Sequence, residues 1–299
     1  MLLALEIPDY VGYNNPQQNS GQMYTNGYEF ELSWSDNIGE LSYSVGANFS
    51  DFVSKMGDLK GTEFLGSQIK IEGSEFNEWY GYISDGIYQT QSEVESSAKL
   101  NANIKPGDIK FKDISGPDGI PDGKISSEYD RILLGGSLPR FLYGANLRIE
   151  YKNFDFYSVI QGVGKQNSLM TTEMVQPLRA NWANIPNIID GNYWSKYNTE
   201  EQNKDVFYPR LTYSNASSNY VMSDYWLFNG RYIRLKNITI GYRLPNSFCE
   251  KIKINNARLY VSGNDIVTLN KYPKGWDPET GSNSYPITSY YSFGFNINF

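Results

Sequence analysis

Eight residues constrain this chain most. In Tyr28-Glu29-Phe30-Glu31-Leu32-Ser33-Trp34-Ser35 every even position is large and apolar and every odd one is polar. Only an extended strand points every second side chain the same way, so the segment reads as a β-strand with one apolar face. The pattern continues. After Asp36-Asn37-Ile38-Gly39, the residues Leu41, Tyr43, Val45, Ala47 and Phe49 alternate with Ser, Gly and Asn, which makes the two runs a hairpin.

Phe141, Tyr143, Ala145, Leu147, Ile149 and Tyr151 alternate in the same way, and Asn153 turns the chain into a second hairpin running from Phe154 to Gly162. Tyr232, Arg234, Lys236, Ile238, Ile240, Tyr242 and Leu244 are expected to share one face, with Arg234 and Lys236 placing basic heads at its end. Ala257, Leu259 and Val261 oppose Arg258, Tyr260 and Ser262, and the sequence closes on Tyr291, Phe293, Phe295, Ile297 and Phe299. About seven strands follow, each long enough to cross a bilayer. The best helical stretch is Ser92 to Leu100, inside a loop.

The joints are uneven: 36–39, 152–153 and 245–255 are short, while 51–139, 163–230 and 266–288 are long and read as structureless. Long connections of that kind are rare in compact soluble domains, and short turns on one side with long loops on the other is the asymmetry of an outer-membrane barrel. Alternation alone fits a soluble sandwich equally well. Three features favour the barrel: alternate residues rich in aromatics (25 Tyr, 15 Phe, 6 Trp), small polar partners suited to a wet lumen, and a terminal Phe299 preceded at two-residue steps by Ile297, Phe295 and Phe293. The mean hydropathy of -0.51 does not oppose this, because alternating strands average out as polar. In a barrel, Phe141, Tyr143, Leu147, Phe293, Phe295 and Ile297 face lipid, and Asn146, Arg148, Asn296 and Asn298 face the lumen.

Composition removes whole classes of function. With no His and one Cys, disulfide frameworks, Cys/His zinc sites, His-based triads and haem ligation are excluded. A net charge of -7 with dispersed Lys and Arg gives no footprint for nucleic acid. Glu29 and Glu31 share a strand face without an enclosed cleft, so no glycosidase pair and no enzyme is expected. Cys249 beside Phe248 reads as a neutral filler. The opening MLLALEIPDY lacks a basic region and meets Glu6, and so reads as neither signal peptide nor anchor.

Longer motifs carry a family likeness. GDIKFKD (107–113) with GPDGIPDG (116–123), Tyr129-Asp130-Arg131, GGSLPRFLY (135–143), GRYIRLKNITIGY (230–242) and Asp277-Pro278-Glu279 before a terminal aromatic strand resemble the C-terminal barrel region of the SusC/RagA family of TonB-dependent outer-membrane transporters. The likeness runs from about Asn19 to Phe299, departing locally at Arg231, where the family usually carries a small residue. It implies an all-β fold in which residues 1–299 form about the last seven strands of a 22-stranded antiparallel transmembrane barrel, with the plug and N-terminal extension absent. It also implies an outer-membrane location, import of oligosaccharides or peptides, a SusD-like surface lipoprotein as partner, coupling to TonB-ExbB-ExbD through the missing plug, and a terminal signal (Phe295, Ile297, Phe299) read by the barrel-assembly machinery. The alternative is a soluble secreted β-rich glycan-binding module.

Two site expectations come from residue chemistry. Asp113, Ser115, Asp118 and Asp122, closed by Asp130 or Glu128, approximate the start of an EF-hand calcium loop with one residue inserted; the same residues also suit a turn held by Asx-type bonds. Loop aromatics, chiefly Trp79, Trp182, Trp194 and Trp226, with Tyr80, Tyr82, Tyr197 and Trp276, can stack on sugar rings or pack loop on loop.

Overall fold

The computed structural model describes residues 2–4, 12, 17–19, 21–60, 63, 66–171, 175–178, 184–213, 219–281 and 284–299. Its main sheet has seven antiparallel strands: β1 (Met23–Ile38), β2 (Leu41–Met56), β3 (Arg140–Tyr151), β4 (Phe154–Lys165), β5 (Tyr232–Arg243), β6 (Asn256–Asn270) and β7 (Tyr290–Asn298). Each pairs with the next in chain order, a simple meander. At one end β1 and β2 turn through Gly39-Glu40, and β3 and β4 through Lys152-Asn153, where Gly39 and Lys152 take φ of 62° and 53°. Two-residue turns with positive φ match the natural twist of a hairpin. At the same end β5 and β6 are joined through a short helix, α3 (Asn246–Lys251), which buries Cys249. All three long connections leave the opposite end.

Directly paired residues of an antiparallel sheet project to the same side, so the register fixes the faces. Phe30 pairs with Phe49, Phe49 with Tyr143, Tyr143 with Gly162 and Gly162 with Ile233. Further along, Ile240 pairs with Val261 and Val261 with Phe293. One face is therefore apolar from edge to edge, and it is open: Phe30, Trp34 and Phe293 are 65%, 63% and 73% exposed. The other carries Ser33, Gly46, Asn146, Val159, Asn237 and Asn264 along a single pairing row. Phe295 and Asn296, successive in β7, fall on opposite faces, and Tyr143 and Leu147 fall opposite Asn146 and Arg148.

The single face expected for 232–244 does not form. Val159 pairs with Asn237 while its neighbour Ile160 pairs with Leu235, leaving Lys236 as an extra residue in β5. A bulge of one residue reverses the alternation. Ile233, Leu235, Ile238, Ile240 and Tyr242 all reach the apolar face, and Tyr232 and Arg234 turn to the polar one with Asn237 and Thr239. Without the bulge, either Arg234 or the isoleucines would sit on the wrong side.

The long connections are not structureless either. Short ladders join Gln68–Ile69, Glu78–Gly81 and Ile132–Gly135, then Ser84–Ile87 with Ile109–Phe111, and Asn167–Leu169 with Leu227–Asn229. Two one-and-a-half-turn helices appear, α1 (Gln91–Ser96) and α2 (Glu200–Asp205). α1 overlaps only the first half of the stretch expected to be helical, Ser92 to Leu100, and α2 starts on a capping box between Thr199 and Gln202. Above all, Tyr82, Ile109, Phe111, Ile125, Met170, Ile189, Tyr208, Trp226 and Tyr272, drawn from all three long connections, form one buried cluster. The loops are a folded cap with its own hydrophobic core.

Candidate functional site

The chemistry-bearing side chains gather in the cap and on the polar face beneath it. Small hydroxyls and amides dominate that face: Asn237 Nδ2 donates to Ser262 Oγ (3.1 Å) and to Asn264 Oδ1 (2.8 Å), and Thr239 Oγ1 donates to Asn237 Oδ1 (3.1 Å). Charges occur there as pairs. Towards the short-turn end, Arg258 Nε and Nη2 reach the two oxygens of Asp155 at 2.9 and 2.5 Å, and Arg148 and Arg243 share Glu150. Gly241 permits the first of these, since a Cβ there would meet Arg258 and Asp155 at 2.5 Å.

At the cap end, the guanidinium of Arg234 is fully buried. It donates to Thr268 Oγ1 (2.9 Å), Glu279 Oε2 (2.8 Å) and Asp277 Oδ2 (2.5 Å), while Lys236 Nζ lies 2.9 Å from Asp265. The bulge at Lys236 puts both cations where the returning 271–281 segment supplies acids. This hub was invisible to strict alternation, which assigned Arg234 and Lys236 to the apolar face.

A second buried network staples two loops together. Asp108, with no exposed surface, forms an ion pair with Arg210, whose Nη2 donates to Oδ2 at 3.2 Å, and accepts from Asn219 Nδ2 at 3.0 Å, while Asn219 Oδ1 accepts from Ile109 N at 2.8 Å. Around it Phe207 stacks on Tyr225 at 5.0 Å, Tyr225 meets Trp226 edge-on at 5.0 Å, and the Tyr225 hydroxyl donates to Phe207 O. Burial raises these phenols: Tyr208 and Tyr220 are pushed up to about 12 and Tyr225 higher still. Their rings pack as neutral groups, and the Tyr225 hydroxyl is also a hydrogen-bond donor.

The tryptophans split. Trp226 is 2% exposed and its Nε1 donates to Asn219 O at 2.8 Å, so it is a core residue of the cap. Trp79 and Trp194 are half-buried, with Nε1 donating to Asn167 O (2.9 Å) and Gln89 Oε1 (3.2 Å). Both brace loops against one another. Trp182 lies outside the described residues. Tyr197 is 86% exposed, with Lys196 Nζ 4.9 Å from the centre of its ring. Beside Trp226 a cavity of about 310 Å³ is lined by Leu169, Met170, Val175, Tyr220 and Met222.

The calcium centre does not assemble. Asp113 Oδ2 accepts from Gly123 N (2.6 Å), Asp122 Oδ1 from Lys124 N (2.9 Å), and Asp130 accepts from Ile114, Ser115 and Ser126 N, so each carboxylate serves backbone donors, while Asp113 Oδ1 is buried without a partner among the described residues. Asp118 is exposed, the Ser115 hydroxyl turns to Gly116 O, and no acidic trio converges among the described residues. The residue types were read correctly as loop-formers. Among the described residues their carboxylates hold turns.

No family model matches the sequence. The chain is 32% identical over 344 aligned residues to TonB-dependent receptor P3 of Formosa agariphila, covering 100% of this chain and 31% of that protein. It is 24% identical over 323 residues to TonB-dependent receptor SusC of Bacteroides thetaiotaomicron, covering 100% of this chain and 29% of that one. Among solved structures, the RagAB peptide importer in its open-open state superposes with a TM-score of 0.73 at 20% identity, covering 100% of this chain and 31% of that chain. The RagAB peptide transporter gives a TM-score of 0.73 at 20% identity over 32% of its chain. The chain thus spans about a third of the length of the relatives it matches. The meander, the uneven joints and these matches agree: along its whole length the chain is homologous to TonB-dependent receptors of the SusC/RagA type and has the fold of their barrel.

Proposed function

We propose that this chain is the C-terminal section of the barrel of an outer-membrane importer, with upstream strands and a plug completing the lumen and coupling it to TonB-ExbB-ExbD. The observation that carries this reading is the continuous exposed apolar face across all seven strands, backed by a polar one. A soluble glycan-binding module would have to bury that face. In the importer it meets lipid, the polar face lines the lumen, and the cap stands outside the cell.

The cargo is an oligosaccharide or peptide received under a SusD-like lipoprotein. Support comes from relatedness to SusC and from the likeness to RagAB, itself described as a peptide importer. Phe295, Ile297 and Phe299 act as the terminal signal for the barrel-assembly machinery, which the exposure of Phe295 and Ile297 on the last strand and of Phe299 just past it suits.

Topology is tested with single cysteines in a Cys249→Ser background of the full-length protein. Tyr197→Cys in the cap reacts with an impermeant maleimide on intact cells, whereas Glu40→Cys reacts only after the outer membrane is opened. Labelling of both in intact cells, or of neither, overturns the orientation.

A further inference from the structure

Two glycines interrupt the apolar face near its cap end. Gly162 pairs with Tyr143 on one side and Ile233 on the other. The Tyr143 ring lies over it, 2.3 Å from where a Cβ would stand, and the Tyr143 hydroxyl donates to Tyr232 O at 3.2 Å. Gly164, two residues on, packs against Phe141, whose Cβ lies 2.9 Å from where a Cβ of Gly164 would stand. The result is a cleft of about 450 Å³, walled by Tyr143, Ile233 and Leu269, with Arg231 and Lys271 also lining it.

The two cations sit in an unusual relation. Tyr232 and Asn270 are the last pair of the β5–β6 ladder, so Arg231 and Lys271 extend that ladder by one step, opposite each other. Like charges in that position repel. Both are exposed, and neither has an acidic partner among the described residues, unlike the cations of the polar face. An anion between them converts the repulsion into charge-assisted hydrogen bonds. Directly below, Ile233 and Leu269 pair across the strands and are 36% and 64% exposed, an apolar wall continuous with the lipid-facing surface.

A small free anion would use the cations and leave the wall unused; a neutral hydrocarbon would do the reverse. We propose that this cleft binds a phosphate-bearing lipid of the outer leaflet, its phosphate bridging Arg231 and Lys271 and one acyl chain lying along Ile233, Leu269 and the Tyr143 ring. The proposal rests on the outer-membrane reading above.

The test uses the full-length protein purified in a non-ionic detergent, with lipid A as the probe and retention measured by native mass spectrometry. Wild type retains the lipid, and the R231Q/K271Q double variant retains it on the order of tenfold less. Arg231→Lys keeps most of it, and Leu269→Ser, at an exposed position that does not threaten folding, weakens it several-fold with both cations present. Equal retention by the double variant overturns the proposal. So does displacement by millimolar inorganic phosphate, which would mark a free-anion site, or equal retention of an uncharged diacylglycerol, which would mark general detergent-like adhesion. Failure of the outer-membrane reading shows separately, as absence of the protein from the outer-membrane fraction.

Discussion

Arg234 Nη2 lies 2.5 Å from Asp277 Oδ2, linking the polar face of β5 to the segment that leads from β6 towards β7. The guanidinium is fully buried, so removing one partner leaves a charge without compensation. Arg234→Met is expected to destabilise the 271–281 region by about 3–5 kcal/mol, with the R234M/D277L pair recovering part of the loss. Amide exchange reads this directly: protection should fall in 271–281 and hold in β3 and β4. Unchanged exchange in Arg234→Met would show that the hub does not hold the loop.

Trp226 makes the second prediction. It contacts Phe207, Tyr208, Tyr220 and Tyr225 as ring pairs and is almost wholly enclosed. Trp226→Ala should cost the cap about 3–5 kcal/mol and increase proteolytic nicking across 166–231. If Trp226 instead served only a ligand, the variant would lose binding and keep its resistance to protease.

The third concerns alkaline pH. Tyr208 and Tyr220 are held up to about 12 by burial, against an ordinary value of 10.0. Between those values the opened cap releases phenolic protons that the folded cap keeps, so the open form gains free energy as pH rises. The sign is fixed: what these two phenols contribute to cap stability is fully present below about pH 10 and is lost from there towards pH 12. Protease resistance followed across that range should decline, and the Tyr208→Phe variant should decline less steeply. A flat profile would place these phenols in water.

The fold was legible in the sequence to the extent that alternation was regular. Tyr28 to Ser35 announced β1, and the aromatic run to Phe299 announced β7, because a sheet with one apolar face forces period two. Lys236 escaped because a bulge is one residue of irregularity whose cause, acids at Asp265, Asp277 and Glu279, lies far along the chain. The cap escaped for a related reason. Its core residues, such as Tyr82, Ile189 and Tyr272, come from separate connections and show no common period, so only tertiary structure brings them together. Trp226 looked like a ligand platform because residue type alone cannot tell a buried ring from an exposed one.

Calcium gives the fourth prediction. Asp130 accepts three backbone N–H groups that a cation would have to displace, and among the described residues no acidic trio converges beside the one unpartnered oxygen of Asp113. Titration calorimetry with millimolar calcium should show no heat, and Asp130→Asn should disorder residues 113–130 with or without the ion. Saturable heat lost in Asp113→Asn would restore the metal.

The last prediction follows from the sheet edges. Among the described residues β1 pairs only with β2 and β7 only with β6, so each leaves a row of backbone N–H and C=O groups without a strand partner. In hydrocarbon every such group costs several kcal/mol, which is why spanning sheets close into barrels. β7 carries no charged residue or proline, and β1, exposed along its whole length, sets only Glu29, Glu31 and Asp36 against an apolar face of Tyr28, Phe30, Leu32 and Trp34. A polypeptide of these 299 residues, produced alone and mixed into liposomes, should therefore pair edge to edge into aggregates and give no saturable uptake of oligosaccharide or peptide. Adding a second polypeptide that carries the upstream strands and plug should restore a heat-modifiable, closed form. Saturable uptake by the 299 residues alone would mean that the two edges find each other or a second copy, and the seven-strand sheet would then be a sufficient pore wall.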